Sequence, residues 1–378
     1  MQPVEPPWEN MQCIAFQGAL PKTTFVQEGW KEISHEQVLA EKNKISKVEE
    51  QDNWELRKKI TNPYEAIFSG SSDNPFPSLA QVQPLSRSYF KMIEMLDILD
   101  FWKIIRNSSF RSAHVCEGPG GFIQATVQGL CERKIPIDAI YAMTLRPTKS
   151  HIPGWRRSIK FLRKYPKIQL EYGADDTGNI LNLENQRSFS VKASNVQLFT
   201  ADGGFDFSID YTKQEEMSFS LILASFTVGL TCLAKGGIII VKLFDIYSEA
   251  TKDLFLGSAR LFERFTIYKP ATSRPCNAER YFIGIGYSGK STAQPWISHL
   301  QRAQLIHSSS PLTRLTTDSW NPAILAAVQE QIQWQEQQQM NIIEKTLTFD
   351  MKDLTTLIEQ NIIKSKEWCE RFKVPFIL

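Results

Sequence analysis

The sequence predicts an α/β protein built on a doubly wound, mostly parallel sheet with an antiparallel last strand. Three observations carry this. Short, nearly continuous apolar runs recur between residues 113 and 288, and segments with helical spacing separate several of them. The last two runs lie too close together for a crossover helix. Apolar strands alternating with helices are what a parallel sheet covered on both faces needs.

Residues 1 to about 80 form an N-terminal extension in which prolines, tryptophans and charges mix without a long period. Within it, 34–60 reads as a polar helix and "SGSSDNPFPS" (69–78) as a loop. The segment 86–105 places apolar residues at helical spacing. The strands follow: "AHVC" (113–116), "AIYAMTL" (139–145), "VQLFTAD" (196–202), "LILASF" (221–226) and "GIIIVKLF" (237–244). "GFIQATVQGLCER" reads as a helix after the first, "GWRRSIKFLRKY" as one between the second and third, and "SEATKDLFLGSARLFERF" as one after the fifth, N-capped by Ser248. "FTIYK" (265–269) and "RYFIGIGYS" (280–288) are close enough to form an antiparallel pair. The protein therefore divides into an extension (1–80), a central domain (81–290) and a helical appendage (291–378). The appendage carries a glutamine-rich stretch, 328–340, in which Ile332, Trp334, Ile342 and Ile343 read as a packing stripe.

Composition bounds the function. The 378 residues carry a formal net charge of +2, so any basic surface is local. The six cysteines are scattered, without a CxxC pair or a histidine at metal-ligand spacing, which argues against a zinc site and for a reducing, intracellular setting, cytoplasmic or nuclear. "MQPVEPPWENMQC" lacks a basic stretch followed by an apolar run, so no signal peptide is expected. No apolar run is long enough to span a bilayer, and no membrane partner is expected.

"CEGPGGF", Cys116, Glu117, Gly118, Pro119, Gly120, Gly121 and Phe122, follows the first strand and opens a helix. In a doubly wound sheet such a turn lets backbone approach a nucleotide-like ligand at a helix N-terminus. The bland reading is a strand-to-helix turn. The loop is neither G-x-G-x-x-G nor a P-loop, and the second strand ends "MTLRP" without an acidic residue for a nicotinamide ribose. S-adenosylmethionine fits better, because it needs close backbone approach but brings no pyrophosphate.

Three polar residues interrupt apolar strands: Asp202 ends "VQLFTAD", Lys242 lies within "IIIVKLFD", and Glu279 precedes "RYF". Lys91, on the helix before the glycine loop, is a fourth candidate. A lysine in a buried strand needs a partner or a route to water. Lys242 pairs structurally with Asp202 or Glu279, snorkels from the strand end, or faces the ligand crevice at the C-terminal edge of the sheet.

The segments "RSYFK", "GPGGF", "ADGGF", "VKLFD" and "KPATSRPCNAERY" resemble those of the FtsJ-type RNA ribose 2′-O-methyltransferases, which have a Rossmann-like methyltransferase fold. Within that family, "AMTLRP", "YGADDTGNI", "TSRPCNAERY" and "RKKITNPYEAI" are similar to segments of the eukaryotic and viral mRNA cap-1 enzymes. The resemblance covers about 57–290 and implies a Lys-Asp-Lys-Glu tetrad at Lys91, Asp202, Lys242 and Glu279, methyl transfer from S-adenosylmethionine to a ribose 2′-hydroxyl, and capped mRNA as the partner, with the extension on the RNA side. It implies cofactor contacts at 116–122, at Thr144 and Leu145, at Asp176 and at Asp202. For Asp176 a simple turn role stays open. Burial and Lys91 would lower the pKa of Lys242, whereas Asp202 and Glu279 would raise it; the sequence leaves the sign open. Arg57, Lys58, Arg87, Arg156, Arg157 and Arg274 are candidates for RNA phosphates, with an exposed helix face as the alternative for Arg156 and Arg157. Rival readings are a ribosomal or transfer RNA ribose methyltransferase, a non-catalytic RNA-binding subunit and, disfavoured by the loop, a nicotinamide oxidoreductase.

Overall fold

The computed structural model describes residues 6–9, 11–15, 23–26, 36–49, 54–69, 76–105, 109–148, 152–204, 213–350, 352 and 354–377. Two short strands, β1 (Ile14–Ala15) and β2 (Thr23–Val26), precede helices α1 (Glu36–Glu49), α2 (Trp54–Ile60), α3 (Ser88–Ile98) and α4 (Phe101–Ile104). The central alternation is β3 (Phe110–Val115), α5 (Gly121–Glu132), β4 (Ile137–Met143), α6 (Ile159–Lys164), β5 (Ile168–Glu171), α7 (Leu183–Lys192), β6 (Val196–Ala201), α8 (Gln214–Cys232), β7 (Leu233–Leu243) and α9 (Glu249–Ala259). After it come β8 (Phe262–Tyr268), β9 (Arg280–Tyr287), α10 (Lys290–His307), β10 (Arg314–Thr316), α11 (Pro322–Thr348) and α12 (Leu354–Arg371).

The main sheet has the order β1-β8-β9-β7-β6-β3-β4-β5. Strands β7, β6, β3, β4 and β5 run parallel, and β9 is antiparallel to both β7 and β8. The chain steps outward from β3 to β4 and β5, then crosses back to β6. The switch point therefore lies between the C-terminal ends of β3 and β6, where open α/β sheets hold their ligands. The expected doubly wound sheet with an antiparallel last pair is present, and Ser248 caps α9 by accepting from the Thr251 N–H.

Two expectations fail. "LILASF" (221–226) is not a strand but the middle of α8. Leu221 to Phe226 are all buried, and a helix buried on every side shows the same continuous apolar run as a buried strand. The hydroxyls of Ser218, Ser225, Thr227 and Thr231 donate to carbonyls one turn back, which absorbs the polar residues of this helix. Conversely, β5 and α7 were not anticipated: β5 is four residues at the sheet edge and α7 is polar, so neither has a strong period.

The glutamine-rich helix α11 closes the opposite edge. Strand β1 covers β8 only at Arg264 and Phe265. Beyond it, the Ile267 N–H donates to Gln331 Oε1 and the Ile267 carbonyl accepts from Gln335 Nε2. Side-chain amides thus replace the missing strand and protect an edge that would otherwise be open for pairing. Ile332, Ile342 and Ile343 are buried as the stripe expected, and Trp334 is half-buried. Helix α12 buries Trp368 against Phe90 of α3.

Candidate active site

The four polar residues singled out in the sequence meet at the switch point. Register explains three of them: Ala201 of β6 is opposite Val241 of β7, so Asp202 follows beside Lys242, and Lys242 is opposite Tyr281 of β9, two residues after Glu279. Helix α3 brings Lys91 across. Lys91 Nζ lies 2.5 Å from Glu279 Oε1, and Lys242 Nζ lies 3.3 Å from Glu279 Oε2 and 3.0 Å from Asp202 Oδ1. The four side chains are only 9 to 13% exposed. Lys242 also donates to the Asp202 carbonyl at 3.2 Å, and Tyr281 donates its hydroxyl to Asp202 Oδ1 at 2.7 Å.

The structural pairing of Lys242 is therefore present, and with both carboxylates. Burial disfavours its charge, but Asp202 and Glu279 outweigh burial and hold its pKa above the usual lysine value. Burial works against the Glu279 carboxylate too, and Lys91 and Lys242 overcome it, leaving its pKa well below the usual range. The cluster contains two cations and two anions.

The glycine loop lies beside this cluster. Each glycine has an intramolecular reason. A Cβ on Gly118 would approach the Gly154 carbonyl to 2.9 Å and Thr144 to 3.2 Å, Gly120 has φ +104°, and a side chain on Gly121 would strike Ser88 and Ser86 at the start of α3. The glycines are thus needed for packing as such, and the case for a ligand rests on where the loop sits. Glu117 is buried there. It accepts from Thr200 Oγ1 at 3.1 Å, Thr200 contacts His114 Nδ1 at 2.8 Å, and His114 Nε2 contacts Ser112. With Thr200 donating to Glu117, the chain assigns the His114 proton to Nδ1. Burial pushes the pKa of His114 down to about 3, so it stays neutral. Burial, then the Asp202 charge, pushes the pKa of Glu117 well up, and the Thr200 hydrogen bond and Lys242 offset this only in part. Burial also raises the Cys116 thiol to about 12, so Cys116 is inert. Phe122 is fully buried, and Pro119 gives its carbonyl to Ser158.

On the far side of the loop, Thr144 packs against Gly118 and Leu145 is exposed. Asp175 organises the next turn, accepting from Thr177, Asn182 and Asn185. Asp176 is exposed and pairs with Arg146 at 2.6 Å, whose guanidinium stacks over Tyr172.

The six candidate RNA contacts divide. Arg156 and Arg157 are exposed in a 3-10 turn ahead of α6. Arg57 turns inward, donating from Nη1 to the carbonyls of Thr346, Leu347 and Phe349 at the end of α11. Arg87 and Arg274 both pair with the buried Glu65, at 3.3 and 3.2 Å, and Arg87 also donates to the Phe68 carbonyl. Lys58 lies in the last turn of α2. The RNA expectation is thus corrected for Arg57: its guanidinium is spent on helix carbonyls, a role hidden in sequence because its partners are about 290 residues away.

Sequence reasoning missed several residues at the site. Tyr281 was visible only as a strand aromatic. Ser273 donates to Glu279 Oε1 at 2.8 Å, and Lys269 donates to Asn277 and to the Glu279 carbonyl. All lie within or beside the quoted "KPATSRPCNAERY", so the signal was a polar cluster next to a known candidate.

A doubly wound sheet with charged side chains gathered at its switch point defines an α/β enzyme of the nucleotide-ligand type. Comparison narrows this. The family model for FtsJ-like methyltransferase matches residues 84–287, and the chain belongs to that family and is a methyltransferase. The cap-specific mRNA (nucleoside-2'-O-)-methyltransferase 1 of Trypanosoma brucei brucei is 28% identical over 263 residues, 66% of this chain and 69% of that protein. The protein of that name from Trypanosoma cruzi is 26% identical over 320 residues, 80% and 83% respectively. A probable methyltransferase of African swine fever virus is 28% identical over 247 residues, 61% of this chain and 52% of that protein. Among the described residues, no helix is long and apolar enough to cross a membrane.

Proposed function

We propose that this methyltransferase acts on the ribose 2′-hydroxyl of RNA, at the first transcribed nucleotide of capped mRNA, using S-adenosylmethionine. The observation that carries the reading is Lys242 Nζ, held between Asp202 and Glu279 at the switch point, with Lys91 on the other oxygen of Glu279. The substrate follows from the two trypanosomatid relatives, which carry a cap-specific name.

The residues suit a cationic cofactor. Glu117 is a buried carboxyl whose raised pKa the nearby Lys242 does not offset, and Asp202 stands beside it. Residues 116–122, Thr144, Leu145, Asp176 and Asp202 would hold the cofactor, whose sulfonium supplies an already activated methyl group. The protein's task is alignment and proton removal. Alignment is worth on the order of 7–11 kcal/mol in the best model reactions. Lys242 Nζ, aimed by two carboxylates, orients the 2′-hydroxyl and takes its proton. The carboxylates keep it largely in the ammonium form, so only the deprotonated fraction acts as base and turnover rises with pH.

In this reading 81–290 is the catalytic domain, 1–80 lies on the RNA side and 291–378 is a supporting appendage. Arg156, Arg157, Lys58, Arg87 and Arg274 are the phosphate candidates, the last two through charge shared with Glu65. The unpaired thiols suit a reducing intracellular setting, cytoplasmic or nuclear. The test is methylation of two RNAs of one sequence, capped and uncapped, with the methylated nucleotide mapped. Transfer only to the capped RNA, at the first ribose, supports the reading. Equal transfer to uncapped RNA favours a ribosomal or transfer RNA substrate.

A further inference from the structure

Lys269 follows the last residue of β8, and the amine of this half-buried side chain makes three hydrogen bonds, to Asn277 O at 2.6 Å, Asn277 Oδ1 at 3.0 Å and Glu279 O at 3.0 Å. We infer that Lys269 is a positioning residue for methyl transfer, acting through Asn277 and Ser273 to set the Glu279 carboxylate; the inference rests on the tetrad reading above. It goes beyond that reading because these three bonds go to the backbone and amide of the loop that carries Glu279, and not to a tetrad side chain.

Ser273 Oγ lies 2.8 Å from Glu279 Oε1 and 3.2 Å from Asn277 Oδ1. A serine hydroxyl has one proton to donate. While Lys269 satisfies Asn277 Oδ1, the Ser273 proton goes to Glu279. When Lys269 is removed, Asn277 Oδ1, on a half-buried side chain, loses its ammonium donor and competes for that proton. Glu279 then loses one of the contacts that orient Oε1 toward Lys91, and Oε2 no longer faces Lys242 as squarely.

The clamp is also sensitive to pH. Three acceptors call for three N–H bonds, which only the ammonium form has. The charged and titratable groups facing Lys269 are Arg280 on β9, Glu279 and Cys276 on the loop, and Lys91 on α3. Burial is the largest influence and lowers its pKa, Arg280 and Lys91 lower it further and Glu279 raises it, leaving it pushed down to about 7. Above that pH the amine keeps two N–H bonds and one acceptor goes without. Base catalysis by Lys242 makes log kcat rise with pH, and partial loss of the clamp makes that rise flatten above about 7.

The experiment uses the full chain, S-adenosylmethionine and capped RNA, with kcat and KM measured from about pH 6 to 9. Lys269→Met is expected to lower kcat on the order of 10- to 100-fold, with KM for both substrates little changed and with the flattening gone from the pH profile. A wild-type kcat with the flattening retained overturns the inference. If Lys269→Met does not fold, Asn277→Ala decides: a lower kcat at unchanged KM supports the clamp, and a wild-type kcat overturns it. Failure of the tetrad reading looks different. It would appear as an inactive wild type or as full activity in Lys242→Met, whatever Lys269 does.

Discussion

Lys242 lies in a strand whose other central residues, Ile238 to Val241, are buried and apolar. A lone ammonium there would be costly, and the two carboxylates that offset the cost are supplied by the ends of neighbouring strands. That much was legible, because a lysine inside an apolar run demands a partner. What could not be read was the sign of its titration, which depends on distances of about 3 Å. Glu117 is the opposite case, a carboxyl whose pKa burial and Asp202 raise more than Lys242 lowers it. A carboxyl whose folded pKa is raised contributes stability below the unfolded value, about 4.3, and loses it as pH rises through the folded value. The unliganded protein should therefore lose stability through Glu117 as pH rises above about 4.3. Glu117→Gln is predicted to remove that part of the loss, so its Tm at pH 7 equals or exceeds wild type, while S-adenosylmethionine binding measured by calorimetry weakens. A lower Tm at pH 7 with unchanged affinity would contradict the assignment.

At the scale of elements, the sequence was most informative where an element joins two environments and least where it is buried all round. Strands β3, β4, β6 and β7 were found because charged or glycine-rich turns bracket them. Helix α8 was misread because nothing polar breaks residues 221–224. The end of α11 could not be foreseen, since its carbonyls are capped by Arg57 from α2. Arg57→Ala should lower stability by roughly 1 to 2 kcal/mol while leaving KM for RNA unchanged. Thermal unfolding and a titration of RNA in the activity assay check both halves. A weakened KM at unchanged Tm would restore Arg57 to the RNA surface.

Across the whole molecule, the appendage is tied to the helix that carries Lys91. Glu94, one turn along α3 from Lys91, accepts from Trp368 Nε1 of α12 at 2.9 Å, from the Ala271 N–H at 2.7 Å and from the Tyr268 hydroxyl. One buried carboxyl thus joins the C-terminal helix, α3 and the loop leading to Glu279. The sequence showed a helical tail but not this attachment, because Glu94 looks like an ordinary helix residue and its partners lie about 170 to 275 positions away. Trp368→Ala empties a fully buried site and leaves Glu94 a donor short, for a predicted loss of about 3–5 kcal/mol. Urea denaturation measures it, and a loss below about 1 kcal/mol would show that α12 is not part of the core.

The central claim is that Lys242, set between Asp202 and Glu279, performs methyl transfer to a ribose of capped RNA. The most direct measurement is transfer of labelled methyl from S-adenosylmethionine to a short capped RNA by wild type and by Lys242→Met, with thermal unfolding confirming that both are folded. The account predicts one methyl group on the first transcribed ribose with wild type and a loss on the order of 100-fold or more with the variant. Transfer by folded Lys242→Met at the wild-type rate would contradict it.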